Sequence, residues 1–260
     1  QYRSYIKFYD FIPLLILVGT SFLLVLKQPD LGTALLILFS SLILLWIAGM
    51  PRFFFIAGFA ITLCTAPLLW HTLKPYQKQR IAVFLGSGDS QKERYQIEQA
   101  AIAIGSGGMY GKGLLKGTQN KLHFLPESRT DFIFAVLCEE WGFLGATLLI
   151  ILYAMLIIRS LLTLKKINDF TVQLFAIGII LHIGISILIN IGMVLGLLPV
   201  VGIPLPLFSY GLSNLFITCL SLGCFQGIIM QRRMFEDYSS SKQFFLHQPL
   251  NHTPHETRIS

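Results

Sequence analysis

The chain has few charged residues and no long stretch with a polar face. Only 13% of its 260 residues are Asp, Glu, Lys or Arg, whereas 54% are hydrophobic. Long apolar runs of this kind leave no polar surface for a soluble helical core. Most of them reach the ~20 residues that a helix needs to cross a ~30 Å hydrocarbon layer. The sequence therefore predicts an all-α polytopic membrane protein, a helical bundle with about six spanning helices at 11–26, 31–50, 53–70, 132–158, 171–198 and 207–230.

Disulfide, metal and nucleotide motifs are also missing. The four cysteines lie inside predicted spans and form no CxxC pair, which indicates packing residues. The glycine-rich stretch 103–113 fails the P-loop pattern, because Ser106 stands where its first glycine is needed and Gly113 follows Lys112. It fails the dinucleotide-binding fingerprint too, because Tyr110 replaces the third glycine.

The positions of Lys and Arg predict the orientation of the chain. Arg232 and Arg233 follow the last run, and cations beside a span favour the cytoplasmic side. The segment 73–130 is then a long extracytoplasmic loop of the membrane domain 1–238. The polar stretch 239–260 is predicted to be a disordered cytoplasmic tail. We also expect the chain to be the C-terminal part of a longer polytopic protein, because its first residues read as the end of a cytoplasmic connection.

The segment between residues 95 and 145 carries the most informative polar pattern. Six glycines in 105–117 stand beside Lys112 and Lys116, a combination that is able to form an anion-binding nest. The alternative is a plain flexible turn. Directly after this loop, Asp131 opens a long apolar run. A carboxylate there indicates either a functional site or a helix cap, and the residues alone leave both interpretations open.

Three more acids lie at or inside the predicted spans. At about 100° per residue, Glu139 is about 80° round the helix from Asp131, and Glu140 is about 180° round. Neither shares a face with Asp131, so we predict that both form pairs between helices. Asp30 follows a proline at a helix junction, where capping of the next helix and lining of a cavity are equally open.

Ten short motifs follow one another along the chain: Gln28-Pro-Asp-Leu-Gly-Thr33, Tyr95-Gln96, the stretch 103–113, Gly117-Thr-Gln119, Leu125-Pro-Glu127, Thr130-Asp-Phe-Ile-Phe134, Glu139-Glu140, Asn190-Ile-Gly192, Leu205-Pro206 and Ser209-Tyr-Gly211. In this order they resemble the SEDS family (shape, elongation, division and sporulation), the RodA and FtsW peptidoglycan glycosyltransferases. The stretch 200–204 is closer to RodA, whereas Ala100, His123 and the stretch 212–214 depart from the usual family pattern.

The resemblance implies a ten-helix fold, of which this chain would supply the last six or so. It also implies an enzyme that joins lipid II into β-1,4-linked glycan strands on the outer face of the bacterial cytoplasmic membrane during cell elongation. Undecaprenyl pyrophosphate would leave in one inverting displacement. Such a step needs a general base for the incoming hydroxyl, and the resemblance assigns that role to Asp131.

The resemblance also suggests the residues that bind substrate. They lie along the predicted loop and at two helix junctions: Arg80, Gly107, Gly108, Lys112, Lys116, Gln119, Glu127, Thr130, Asp30 and Ser209. The charge of the leaving pyrophosphate would be neutralised by some of these cations, by Arg129, or by a divalent cation such as Mg²⁺ or Mn²⁺. No metal-binding side chains are assigned.

The expected partners are a class B penicillin-binding protein, which is a transpeptidase with a single membrane helix, and membrane lipids. No nucleic acid is expected. Two other functions stay open, a lipid II flippase and a non-catalytic scaffold of the cell-wall elongation complex. A flippase needs a polar route through the middle of the membrane, whereas the acids and cations here concentrate at its outer edge, which favours the enzyme.

Overall fold

The structure of the protein is a computed structural model. Every regular element in the part of the chain that it describes is helical. The described residues are 8–28, 30–72, 74–84, 91–121, 124–165, 167 and 169–246, so Pro29, His123 and the end of the predicted tail lie outside them. The all-α prediction is confirmed. In chain order, a 3₁₀ turn at Phe8–Phe11 precedes α1 (Ile12–Lys27), α2 (Leu31–Ile47), α3 (Arg52–Thr72), α4 (Pro75–Phe84), α5 (Gln91–Gly107), α6 (Thr118–Lys121), α7 (Ile133–Leu164), α8 (Phe170–Val194) and α9 (Leu212–Leu246).

Each of the six predicted spans corresponds to one helix, but the helices differ in length. Among the described residues, α7, α8 and the part Leu212–Gln231 of α9 are long and apolar enough to cross a membrane. The helices α1 and α2 are apolar but have only 16 and 17 residues. Pro13 stands in the first turn of α1, and Gly49 after α2 has φ +100°, so local backbone chemistry limits both helices.

The predicted loop 73–130 contains helices of its own. The helix α5 packs against α7, and α2 and α7 both pack against α8. Ala100, Ala103 and Gly107 recur on one buried face of α5 at helical spacing. A Cβ at Gly107 would meet the carbonyl oxygen of Cys138, so a glycine is needed for this close approach of the two helices. The segment is thus packed onto the bundle.

The connection between α8 and α9 is irregular, yet much of it is buried. Val200, Val201, Ile203 and Leu205 belong to the same apolar core as the start of α7 and the end of α8. Buried irregular backbone needs hydrogen-bond partners from the surrounding protein. One comes from the Tyr153 hydroxyl, which donates to the carbonyl oxygen of Pro206 at 2.6 Å. The predicted spans 171–198 and 207–230 leave 199–206 as a connection, and the structure packs this connection into the apolar core.

The last helix continues past the predicted start of the tail. It runs to Leu246, so residues 239–246 are helical where the sequence analysis predicted disorder. The physical reason is the absence of a helix breaker, because no Gly or Pro occurs between Gly227 and Pro249. Residues 247–260 of the predicted tail lie outside the described part of the chain.

Candidate functional site

Asp131 lies on a tight turn immediately before α7. The backbone N–H groups of Thr130, Asp131 and Phe132 all donate to the carbonyl oxygen of Glu127, at 3.2, 3.1 and 3.2 Å. Glu127 has φ +53°, a left-handed conformation that non-glycine residues rarely adopt. The N-cap position of α7 is Phe132, and no side chain caps this helix. The structure therefore excludes the capping interpretation of Asp131 and leaves its carboxylate for other contacts.

Four of the predicted site residues influence the pKa of the Asp131 carboxylate. Burial raises the pKa of Asp131 above its ordinary value, and the negative charges of Glu127 and Asp30 raise it further. A hydrogen bond from Thr130 and the positive charge of Arg80 lower the pKa, without cancelling the rise. The structure thus brings four residues to Asp131. Asp30 comes from the start of α2, Arg80 from α4, and Glu127 and Thr130 from the turn. A carboxylate with a raised pKa is a stronger proton acceptor.

Asp30 has the capping role that the sequence analysis left open. Its carboxylate accepts hydrogen bonds from the backbone N–H of Thr33 at 3.0 Å and from the Thr33 hydroxyl at 2.6 Å. It is the N-cap of α2, and its charge still reaches Asp131. A Cβ on Gly32 would meet the carbonyl oxygen of Val201, so the start of α2 lies directly against the buried 200–206 segment.

The helix α7 is broken at Gly142, where φ is +65° and ψ is −164°. The break leaves the carbonyl oxygens of Glu139 and Glu140 without their usual partners within the helix. The glycine-rich loop supplies replacements, because the N–H of Lys112 donates to Glu139 at 3.0 Å and that of Gly113 to Glu140 at 2.9 Å. Backbone groups that were expected to bind an anion are therefore bonded to α7.

The residues on the C-terminal side of the break are bonded to the same loop. In an unbroken helix the N–H groups of Phe143 and Leu144 would donate within α7. Here they donate to the carbonyl oxygens of Gly108 at 2.9 Å and Met109 at 3.2 Å. Together with the close approach of Gly107, these bonds give the loop glycines a structural role. The predicted contacts of Gly107 and Gly108 with substrate stay predictions.

Glu139 and Glu140 bind the loop rather than another spanning helix. Glu139 is fully buried and accepts hydrogen bonds from Lys112 Nζ at 2.7 Å and from the Thr118 backbone N–H at 2.8 Å. Glu140 accepts one from the Leu115 N–H at 3.0 Å. The predicted pairing between helices was wrong, because these carboxylates satisfy the backbone of an irregular loop that has few internal bonds. Lys112 neutralises a buried charge through this bond, and its predicted contact with the pyrophosphate stays a prediction.

The remaining predicted residues differ in their surroundings. Lys116 is exposed, so its ammonium group is accessible. The Gln119 N–H contacts Glu139 at 3.3 Å, and its side-chain oxygen is buried without a hydrogen-bond partner among the described residues. Ser209 is buried, and its hydroxyl donates to the Thr130 carbonyl oxygen at 2.6 Å. Ser209 thus supports the turn that carries Asp131, and its predicted contact with substrate stays a prediction.

The described residues do not form a metal site by themselves. Among them, no three His, Cys, Asp or Glu side chains lie close enough together to hold a metal ion. Asp30, Glu127 and Asp131 interact through their charges but do not form such a group. We therefore derive no catalytic step through a divalent cation.

Sequence reasoning assigned no role to Asn190, although this residue stands in one of the matching motifs. Its side chain is fully buried in α8 and donates to the Asp131 carbonyl oxygen at 2.9 Å. The signal that could have found it is a single amide in the apolar run 183–194. A buried amide in such a run needs a polar partner, and a backbone carbonyl of the site provides one.

The fold and the site define a multi-pass helical membrane protein that holds a half-buried carboxylate at the start of a spanning helix. The chain belongs to the FtsW/RodA/SpoVE family, described as cell cycle proteins, whose sequence profile matches residues 4–234.

Known members of this family are similar to the chain over most of its length. Peptidoglycan glycosyltransferase MrdB of Escherichia coli K12 is 44% identical over 224 residues, which are 85% of this chain and 60% of MrdB. The chain thus spans about 60% of the length of this curated relative.

Two solved structures share the fold. A chain from a structure on coordinated polymerisation and crosslinking by a peptidoglycan synthase complex is 30% identical, with a TM-score of 0.68. The match covers 87% of this chain and 62% of that one. A mutant of the Thermus thermophilus rod shape determining protein RodA is 28% identical with a TM-score of 0.57, over 88% of this chain and 59% of RodA.

Proposed function

We propose that the complete protein is a peptidoglycan glycosyltransferase that polymerises lipid II on the outer face of the bacterial cytoplasmic membrane during cell elongation. The E. coli relative is named a peptidoglycan glycosyltransferase. The observation that carries the proposal is the surroundings of Asp131, a half-buried carboxylate whose pKa is raised by burial and by the charges of Glu127 and Asp30. These surroundings suit a general base.

In the proposed reaction, Asp131 accepts the proton of the acceptor's GlcNAc 4-hydroxyl. The hydroxyl oxygen forms a bond to the anomeric carbon of the donor's MurNAc. The bond from that carbon to the pyrophosphate oxygen breaks, and undecaprenyl pyrophosphate leaves with the electron pair. The configuration inverts from α to β, so a β-1,4 link results, and Asp131 afterwards releases its proton to solvent.

The leaving pyrophosphate needs positive charge close to Asp131. Arg80 supports this role because its charge acts on Asp131. Arg129 supports it because it is exposed and lies in the turn itself, and Lys116 because it is exposed on the segment before the turn. Lys112 is not included, because its ammonium is bonded to Glu139 and Thr118.

A class B penicillin-binding protein is proposed as the partner. The similar structure of a peptidoglycan synthase complex concerns polymerisation together with crosslinking, which supports a transpeptidase beside this chain. Lipid II and membrane lipids are the other proposed ligands. A divalent cation would have to be held largely by the substrate phosphates, since the described side chains offer no cluster for it.

The test is a lipid II polymerisation assay with the complete protein in proteoliposomes. Asp131→Asn keeps the size of the side chain but removes the proton acceptor, so the rate should fall at least ~10²–10⁴-fold. Glu98→Gln is the matched control, because Glu98 is an exposed carboxylate on α5 that is paired with Arg94 at 2.9 Å. Full activity of Asp131→Asn would refute the assigned base. Transfer of lipid II across the vesicle membrane without glycan strands would favour the flippase.

A further inference from the structure

Three successive backbone carbonyl groups at the site accept hydrogen bonds from residues much later in the chain. Residues 129–131 form the last part of the turn that carries the Asp131 carboxylate. Each of their carbonyl oxygens accepts one hydrogen bond from a residue between 190 and 210. The donors are the Tyr210 N–H to Arg129 at 2.9 Å, the Ser209 hydroxyl to Thr130 at 2.6 Å and Asn190 Nδ2 to Asp131 at 2.9 Å.

Asn190 differs from the other two donors because it connects two walls of the site. Its Nδ2 also donates to the carbonyl oxygen of Ile203 at 2.7 Å, so one amide group joins the turn to the buried 200–206 segment. Both acceptors are carbonyl oxygens, and this fixes which side of the amide faces them. The Oδ1 atom is buried without a hydrogen-bond partner among the described residues. An unpaired buried oxygen destabilises the fold, so stability alone does not explain an amide at this position.

The segment that Asn190 holds is the one that faces the carboxylate. A Cβ added to Gly202 would lie 3.4 Å from the Asp131 carboxylate oxygen Oδ2. Gly202 has φ +75°, a conformation that disfavours any larger residue. The spacing between the carboxylate and its facing backbone therefore depends on the bonds that Asn190 makes to both of them.

We propose that Asn190 is a positioning residue for Asp131, which it holds at a set distance from Gly202 through the carbonyls of Asp131 and Ile203. This inference rests on the proposed function. Asn190 is fully buried in α8 and does not touch the substrate. Its loss leaves substrate binding intact, but it lets the proton acceptor shift relative to the bound hydroxyl. A misplacement of about 1 Å is sufficient to slow an enzyme on the order of 10²-fold.

The test compares Asn190→Leu with Ser186→Ala in the complete protein. Leucine has the same number of side-chain heavy atoms and the same branching at Cγ as asparagine, and it removes the amide. Ser186 is the matched control because it is buried one turn earlier on α8 and donates within the helix, to His182 at 2.8 Å. We expect Asn190→Leu to lower kcat for lipid II polymerisation at least ~10-fold while KM changes less than ~2-fold. Ser186→Ala should keep both constants.

The pH dependence of kcat provides a readout that a purely structural role would not change. Asp30, Arg80 and Glu127 act on Asp131 by charge and stay in place in Asn190→Leu. A looser turn admits water to the carboxylate, which lowers the pKa of Asp131 and moves the acidic limb of the profile to lower pH. Ser186→Ala should leave that limb where it is in the wild type.

The possible results separate the inference from the proposed function. A kcat for Asn190→Leu within ~2-fold of Ser186→Ala, or a change confined to KM, overturns the positioning role. If Asn190→Leu does not fold, Asn190→Ser replaces it, because a serine hydroxyl can bond back within α8 and does not reach the turn. Asn190→Ser is then held to the same kcat and KM criteria. A folded but inactive wild type overturns the proposed function and this inference with it.

Discussion

Burial is the largest cause of the raised pKa of Asp131, and charges from three parts of the chain adjust this pKa further. The carboxylates of Asp30 and Glu127 raise its pKa, and the guanidinium of Arg80 lowers it. Asp30 is fixed as the cap of α2, whereas Glu127 and Thr130 belong to the turn itself. The site therefore combines an early helix, a packed connection and the start of α7. Because these contributions differ in sign, single substitutions should shift the pH profile in opposite directions.

Neutralising Glu127 and Arg80 should move the acidic limb of the polymerisation rate in opposite directions. The base works in its deprotonated form, so the rate rises as the pH passes its pKa. Glu127→Gln removes a charge that raises the pKa of Asp131, and the limb should move to lower pH. Arg80→Gln removes a charge that lowers the pKa, and the limb should move to higher pH. The measurement is kcat against pH at saturating lipid II.

Arg94→Gln is the control for this pair, because Arg94 is an exposed cation on α5 that pairs with Glu98. Its pH profile should match the wild type. A shift of both site variants in the same direction would mean that the limb does not report Asp131. If Glu127→Gln were inactive while Asp131→Asn polymerised lipid II, Glu127 would be the base.

Among the helices, α7 depends on the glycine-rich loop that precedes it in the chain. The loop bonds to both sides of the break at Gly142, and the buried Glu139 holds the loop through Lys112 and Thr118. A Cβ on Gly117 would lie 2.9 Å from Glu139 Oε2, so this part of the loop also passes close to the carboxylate. The helix break and the loop thus form one structural unit.

Replacing Lys112 should therefore destabilise the fold rather than weaken substrate binding selectively. Lys112→Gln leaves the buried Glu139 carboxylate without its cation, and removing one partner of a buried pair costs roughly 3–5 kcal/mol. The effect should be smaller here, because the Lys112 side chain is 29% exposed. Lys116→Gln, on the exposed part of the same loop, should leave stability unchanged. Thermal unfolding of the purified variants measures the difference.

The outcome also decides between the two roles of this lysine. If Lys112→Gln unfolded at the same temperature as Lys116→Gln but no longer bound lipid II, Lys112 would be a substrate contact as first predicted. A lower unfolding temperature with intact binding in the folded fraction would support the pairing with Glu139 that the structure shows.

The helices and the key carboxylate were predictable from sequence because their signals are local. An apolar run indicates a spanning helix, and Asp131 stands out at the start of such a run. The pairing of the loop with α7 was not predictable, because it joins the backbone of residues 108–113 to that of 139–144. Backbone bonds between distant segments leave no side-chain pattern. The many glycines were visible, but they are equally compatible with an anion-binding nest and with close packing.

In the predicted orientation, the glycine-rich loop and the C-terminal end of α7 lie on opposite sides of the membrane. The 22 residues of α7 after the break at Gly142 correspond to about 33 Å at 1.5 Å per residue, which is enough to cross the hydrocarbon layer. In a background without native cysteines, Lys116→Cys should react with a membrane-impermeant maleimide in intact cells. Lys165→Cys, at the other end of α7, should react only after the membrane is opened.

Both lysines are exposed, so differences in labelling would report sidedness rather than burial. Labelling of Lys165→Cys but not Lys116→Cys in intact cells would reverse the orientation, and the proposed chemistry on the outer face would fall with it.

The hydrogen bonds that hold the Asp131 turn have a consequence for biosynthesis. The donors Asn190 and Ser209 lie 59 and 79 positions after the residues they bind. A ribosome makes the carboxylate well before it makes the residues that fix it in place. In the nascent chain the Asp131 turn therefore lacks these hydrogen bonds until α8 and the segment after it have been made. Under the proposed function, activity begins only after these segments have been made.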